Sequence, residues 1–267
     1  MPRHPYFDLA LLDDTVLNQY LLAPIVLRQT IHEWPLSCVQ RITCDDGSQH
    51  IYKSQAPPSV ESAVYGTVSA PHLLSATIIS DQHLLLPYIS ATTSLGNHAD
   101  VVQRVLTHIA TMPPHTPVYR TLDSIHTWTT LMDTTCATLR RQIDDTTFSH
   151  LTHADVTRIE EWAHHHDLYE LWQGSVGVVH GDLSTSNIMH TTTQTYVIDW
   201  QRPLYAPTVI DRWMIEQALQ LQSTTPPMTG VLCTLLEIAW LTEAATRWFP
   251  AGASHYDGQI TALTHQQ

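Results

Sequence analysis

Short alternating runs of apolar and polar residues dominate the first third of the chain. Ile25 to Glu33, Cys38 to Cys44 and Gln49 to Ser54 each carry β-branched and aromatic residues at strand spacing, and the turn Asp45-Asp46-Gly47 joins the last two. A helix is expected before them, over Asp13 to Leu22. Another, about Val60 to Val68, follows the punctuation Pro57-Pro58-Ser59. Two more strand-like stretches, Ala76 to Ser80 and His83 to Ile89, close this region.

Beyond Ser90 the pattern lengthens to helical periods over roughly Ala99 to Met112, Leu122 to Ile143 and His153 to Trp172. Val176 to Val179 and Tyr196 to Ile198 interrupt them as two short β-branched runs, each ending at a polar residue, so that their C-terminal ends would present a site. Helices return over about Val209 to Gln222 and Gly230 to Trp248, with a weak final segment to Gln267. The pattern predicts an α+β chain with a sheet-rich lobe over residues 1–90 and a mainly helical lobe over 91–267.

Composition narrows the classes of function. The 267 residues contain 43% hydrophobic side chains, which is the ordinary globular range. A net charge of −13 repels nucleic-acid phosphate and favours cationic small molecules, so nucleic acid is not expected as a partner. Four cysteines without a C-x-x-C pair, and acids early in the N-terminal stretch, point to a reducing, cytoplasmic setting. Gly230 to Ala245 is the most apolar later segment, but Glu237 and Glu243 interrupt it and it reads as a core helix too short to span a bilayer. No membrane role is expected. The run His164-His165-His166 invites a metal site, yet consecutive helix residues diverge in direction and acids surround the run, as on a solvated helix face.

Candidate chemistry concentrates in His180-Gly181-Asp182-Leu183-Ser184-Thr185-Ser186-Asn187, followed by the apolar strand Tyr196-Val197-Ile198 and then Asp199-Trp200. Each acid alone could cap a turn or end a strand. Together they supply what phosphoryl transfer needs: an acceptor for a hydroxyl proton, and oxygen ligands that hold magnesium against nucleotide phosphates. Upstream, Lys53 is the only lysine in the chain and sits on the third expected strand, with Glu61 on the next helix. Taken alone, Lys53 would be a snorkelling surface residue; ahead of the loop just described, the plan of kinases, which use a strand lysine on the nucleotide phosphates and a helix glutamate to orient it, makes these roles the expectation for Lys53 and Glu61.

The H-G-D-x-x-x-x-N loop at His180 to Asn187 and the I-D-W at Ile198 to Trp200 resemble the aminoglycoside phosphotransferase and choline kinase-like family, of protein-kinase-like fold. The resemblance implies Asp182 as catalytic base, Asn187 and Asp199 as Mg2+ ligands, and His180 as a residue that braces the loop. It also implies ATP (or GTP) as phosphoryl donor and a small-molecule hydroxyl, with cationic ones favoured by the charge, as acceptor. Adenine is expected at the end of His83 to Ile89, using the Pro87 carbonyl and the Ile89 N–H. No glycine precedes Gly47, so the glycine-rich phosphate loop of protein kinases is missing; the turn from His32 to Ser37 takes its place, with Ser37 as a phosphate contact. Asp211 matches a further family aspartate and is the substrate-side candidate among Asp211, Glu216, Glu237, Glu243 and Asp257, most of which read as solvated. The alternative is a pseudokinase or scaffold that binds nucleotide without transferring its phosphate.

Overall fold

The structure, a computed structural model, describes residues 7, 9–90, 98–191 and 194–266. The chain forms two compact units: Met1–Arg120 with His180–Pro203, and Thr121–Val179 with Leu204–Gln267. The lobe division expected at residues 90 and 91 abuts residues 91–97, which lie outside the described residues.

In the first unit a four-residue helix, α1 (Asp14–Leu17), precedes strands β1 (Ile25–Trp34), β2 (Ser37–Cys44) and β3 (Gln49–Gln55). Helix α2 (Glu61–Thr67) and strands β4 (Thr77–Ser80) and β5 (His83–Pro87) follow, and the antiparallel sheet runs in the order β1-β2-β3-β5-β4. The β2–β3 turn forms as its residues demand. Gly47 adopts a φ of 83°, in the left-handed region, and its amide donates to the Cys44 carbonyl at 3.0 Å. Lys53 stands on β3 opposite Val39 on one side and Leu84 on the other, placing it in the middle of the sheet.

The expected helix over Asp13 to Leu22 contracts to α1, capped by the Asp13 side chain on the Val16 amide. Leu17 nonetheless anchors it in a core with Leu12, Ile42, Cys44, Tyr52 and Leu85. Helix α3 (His98–Ala110) belongs to this unit, and the two-residue strand β6 (Arg120–Thr121) ends its first segment.

The second unit is mainly helical. Its helices are α4 (Ile125–Asp144), α5 (His153–Ala163) and the short α6 (His166–Tyr169), followed by strand β7 (Val176–Val179). The expected single helix from His153 to Trp172 therefore breaks at His164 and His165. The His164 ring bridges the Asp133 carboxylate at 3.0 Å and the Tyr169 hydroxyl at 2.9 Å, while His165 Nδ1 accepts from the Asp167 amide. Those bonds explain the run as the cap of a helix break, and no cluster of three or more metal-ligating side chains occurs among the described residues.

Between these parts of the sequence, strands β8 (Ile188–His190) and β9 (Thr195–Val197) pair with each other in the first unit. Strand β10 (Leu204–Pro207) pairs antiparallel with β7 in the second. The chain then completes α7 (Val209–Ala218), α8 (Met228–Glu243) and α9 (Ala253–His265). With its continuation to Trp248, α8 is 21 residues long and apolar enough to cross a membrane by length and composition, contrary to the expectation that it is too short. Yet 67% of the relevant window is buried inside the protein, including Leu232, Leu235 and Ile238, and it packs as a core helix.

Of the acids Asp211, Glu216, Glu237, Glu243 and Asp257, three are buried. Asp257 is fully buried, and its carboxylate accepts from the Ser149, His150 and Leu151 amides at 2.8, 2.8 and 2.9 Å. Glu216 fastens the Thr224 amide and hydroxyl at 2.9 and 2.6 Å. Asp211 lies in the first turn of α7, only 1% exposed. The solvated-face expectation fails for Glu216 and Asp257 because each carboxylate folds inward onto backbone amides of its own unit.

Candidate active site

All the chemistry expected from the loop and from Lys53 falls within the first unit. The Lys53 ammonium donates to Glu61 Oε1 at 2.9 Å, Glu61 Oε2 at 2.7 Å and Asp199 Oδ1 at 2.7 Å. The environment explains why lysine stands here. Burial alone would lower its pKa, but the charges of Asp199 and Glu61 overcome that and hold the ammonium above its ordinary value. Full burial pushes the Glu61 carboxyl up in spite of Lys53. For Asp199 burial also pushes upward, but the Lys53 ammonium wins through charge and hydrogen bond, leaving that carboxyl below its ordinary range.

Side chains that the sequence did not single out buttress this centre. Gln55 Nε2 donates to Glu61 Oε2, and the Ser59 hydroxyl in turn donates to Gln55 Oε1 at 2.7 Å. On the other side, Gln201 Nε2 donates to Asp199 Oδ1 at 2.8 Å. Asp199 itself has a φ of 70°, a conformation that an L-residue adopts at a cost of about 1–2 kcal/mol and that these bonds hold in place.

The loop between β7 and β8 turns at Gly181, whose φ of 74° favours glycine, and brings Asp182 beside the same centre. Asp182 is exposed, with Arg202 Nη2 3.3 Å from its Oδ2. Asn187 Nδ2 donates to the Asp182 carbonyl at 2.7 Å, which fixes the loop and leaves Asn187 Oδ1 without a hydrogen bond among the described residues. His180 braces the loop from behind: its Nε2–H donates to the Ile198 carbonyl at 2.9 Å, and its ring meets the Trp200 ring edge-on at 4.8 Å.

A cavity of about 520 Å³ opens on these groups. Lys53, Asp182, Asn187 and Asp199 form its polar end, and Val39, Ile51, Leu86, Met189 and Ile198 line it with apolar surface. Pro87 and Ile89, the expected adenine contacts, are both in its wall. Ser37 is not. It is fully buried at the start of β2, and its hydroxyl lies 3.5 Å from Gln201 Nε2. The turn preceding it has only two residues, Pro35 and Leu36, so Ile31, His32 and Trp34 of β1 cover the cavity instead. Asp211 sits in the second unit, where, after burial itself, its charge helps push the Cys233 thiol up.

Comparison with known proteins agrees with this reading of the fold. The profile of the phosphotransferase enzyme family, APH, matches residues 87–225, just over half of the chain. The chain belongs to that family. Among solved structures, the macrolide 2'-phosphotransferase MphH from Brachybacterium faecium is similar at a TM-score of 0.62 and 15% identity, covering 94% of this chain and 96% of that one. The streptomycin-ATP complex of APH(2")-IIa gives 0.59 at 13% identity, covering 96% and 99%. A thermostable mutant of APH(4)-Ia, in ternary complex with AMP-PNP and hygromycin B, gives 0.60 at 12% identity, covering 94% and 95%. No curated protein matches by sequence. At these identities the structural likenesses establish the protein-kinase-like α+β fold.

Proposed function

We propose that this chain transfers the γ-phosphoryl group of ATP, or of GTP, to a hydroxyl of a small molecule. The observation that carries the reading is the joining of Lys53, Glu61 and Asp199 in one ion-pair centre that shares a cavity with Asp182 and Asn187.

Each residue has a role that follows from its chemistry. Lys53 neutralises nucleotide phosphate, and Glu61 sets its direction from the buried side. The apolar walls suit the faces of a purine, with the Pro87 carbonyl and the Ile89 N–H at its edge. Asp199 Oδ2 and Asn187 Oδ1, both without hydrogen bonds among the described residues, are the hard oxygen donors that magnesium prefers. Bound there, magnesium would supply charge stabilisation to the phosphates. Asp182 accepts or orients the proton of the acceptor hydroxyl as its oxygen attacks phosphorus, and Arg202 holds one of its carboxylate oxygens. Ser37 and Asp211, both buried, have no part in this reaction.

Neighbours of this fold are complexed with streptomycin and hygromycin B, and a net charge of −13 favours cationic acceptors. Aminoglycosides and macrolides therefore head the acceptor panel. The test is ATP consumption across that panel with phosphorylated product detected by mass, for wild type and Asp182→Asn. The reading predicts a product whose formation falls about 10²–10⁴-fold in the variant. Equal turnover by both proteins would refute the role of Asp182.

A further inference from the structure

One residue links Asp199 to the start of β2 and to the start of α2, and neither the loop spacing nor the family match singles it out. Gln201 Nε2 donates to Asp199 Oδ1 at 2.8 Å, the same oxygen that receives the Lys53 ammonium at 2.7 Å. Its amide lies 3.5 Å from the buried hydroxyl of Ser37, at the base of the β1–β2 turn. Through its main chain, the Gln201 carbonyl accepts from the Val60 amide at 3.0 Å, and Val60 immediately precedes α2 and Glu61.

The consequence lies in how a carboxylate is oriented. Rotation of an aspartate about its last torsion is soft and nearly two-fold, so a single donor leaves the two oxygens free to trade places. Here both donors converge on Oδ1, and Oδ2 takes no hydrogen bond among the described residues. Lys53 cannot do this alone, because its ammonium also serves both Glu61 oxygens and faces the nucleotide phosphates in the proposed reaction. An amide that carries no charge, and that also lies within reach of the Ser37 hydroxyl, can hold Oδ1 throughout.

Resting on the proposed nucleotide reaction, we infer that Gln201 is a positioning residue for Asp199, holding Oδ1 so that Oδ2 is the oxygen presented to the nucleotide-bound divalent cation. It acts where a glycine-rich turn is lacking, by tying the cation ligand to the base of the short β1–β2 turn. The main-chain bond to Val60 persists whatever side chain stands at 201, so substitutions there isolate the amide.

The experiment is a calorimetric titration of ATP into the full chain at graded magnesium concentrations and in EDTA, for wild type, Gln201→Ala and Gln201→Met. Methionine keeps the length and removes the donor, guarding against a packing effect of alanine. Loss of a residue that orients a metal ligand lowers metal affinity about 10–100-fold. The magnesium concentration giving half of the full ATP affinity should therefore rise by about that factor in both variants, while affinity in EDTA stays at the wild-type value. A midpoint unchanged in both variants, or an equal loss with and without magnesium, overturns the role of Gln201 while leaving the nucleotide reading intact. Absence of any magnesium-dependent ATP binding in wild type overturns both.

Discussion

Replacing Lys53 by methionine tests the central ion pair through stability, without need of a substrate. The side chain is nearly isosteric, so the change removes charge more than volume. Lys53 is 6% exposed and Glu61 is fully buried, so the variant leaves Glu61 with only Gln55 as donor and Asp199 with only Gln201. Breaking one side of a buried pair costs about 3–5 kcal/mol because the remaining charge loses its compensation. At roughly 2–4 °C per kcal/mol for a chain of this size, the unfolding midpoint should fall by about 6–20 °C. The loss should also depend on pH. Burial already pushes the Glu61 carboxyl up, and without Lys53 it rises further, so protonation can relieve the strain. A carboxyl whose folded pKa is raised stabilises below its unfolded value and loses that contribution as pH climbs through the folded one. The deficit of Lys53→Met should accordingly be larger at pH 8 than at pH 5. Adding Glu61→Gln should recover part of it. Thermal and urea unfolding followed by tryptophan fluorescence at the two pH values measure the midpoint and the free energy; a deficit under about 1 kcal/mol, or a double variant no better than the single one, would mean that the pair behaves like a solvated surface bridge.

Three further outcomes follow from the structure. His72 is fully buried, neither ring nitrogen has a hydrogen bond among the described residues, and burial with the nearby His108 lowers its pKa from 6.5 to about 4. Its neutral form therefore stabilises the fold in full above pH 6.5, and about 3 kcal/mol should be lost as the pH falls from there to 4; His72→Phe should flatten the midpoint-against-pH curve in that window. Asp257→Ala strands the three amides of Ser149, His150 and Leu151 and should cost about 3 kcal/mol or more, with hydrogen exchange accelerated at those positions. Gln55→Leu removes the outer donor to Glu61 and should weaken magnesium-ATP binding several-fold without abolishing it, by the same calorimetry.

How much of this was legible beforehand varied with the kind of signal. The loop from His180 to Asn187 could be read because the proposed chemistry would depend on residue types at short fixed spacings, and the structure brings Asp182, Asn187 and Asp199 to one cavity. Lys53 and Glu61 could be paired because the turn at Gly47 and the proline pair at 57 and 58 fixed which strand and helix carry them. Strands β8 and β10 escaped notice, since runs of three or four residues are too short to show a period. The break at His164 and His165 has neither proline nor glycine to announce it and is made by side-chain bonds to Asp133 and the Asp167 amide. Ser37 looked like a phosphate ligand because serine near a turn often is one, but the turn closes after two residues and strand pairing draws Ser37 inward. Gln55 and Gln201 carried no sequence signal at all: a neutral amide acquires its meaning here only from the carboxylate beside it.

The most direct measurement is thermal unfolding of wild type and Asp199→Ala, each with and without magnesium-ATP, because a ligand that binds only the folded state raises the midpoint by mass action. The account predicts a magnesium-dependent rise in wild type that disappears in the variant. No rise in wild type with ATP or GTP, or an equal rise in both proteins, would contradict it.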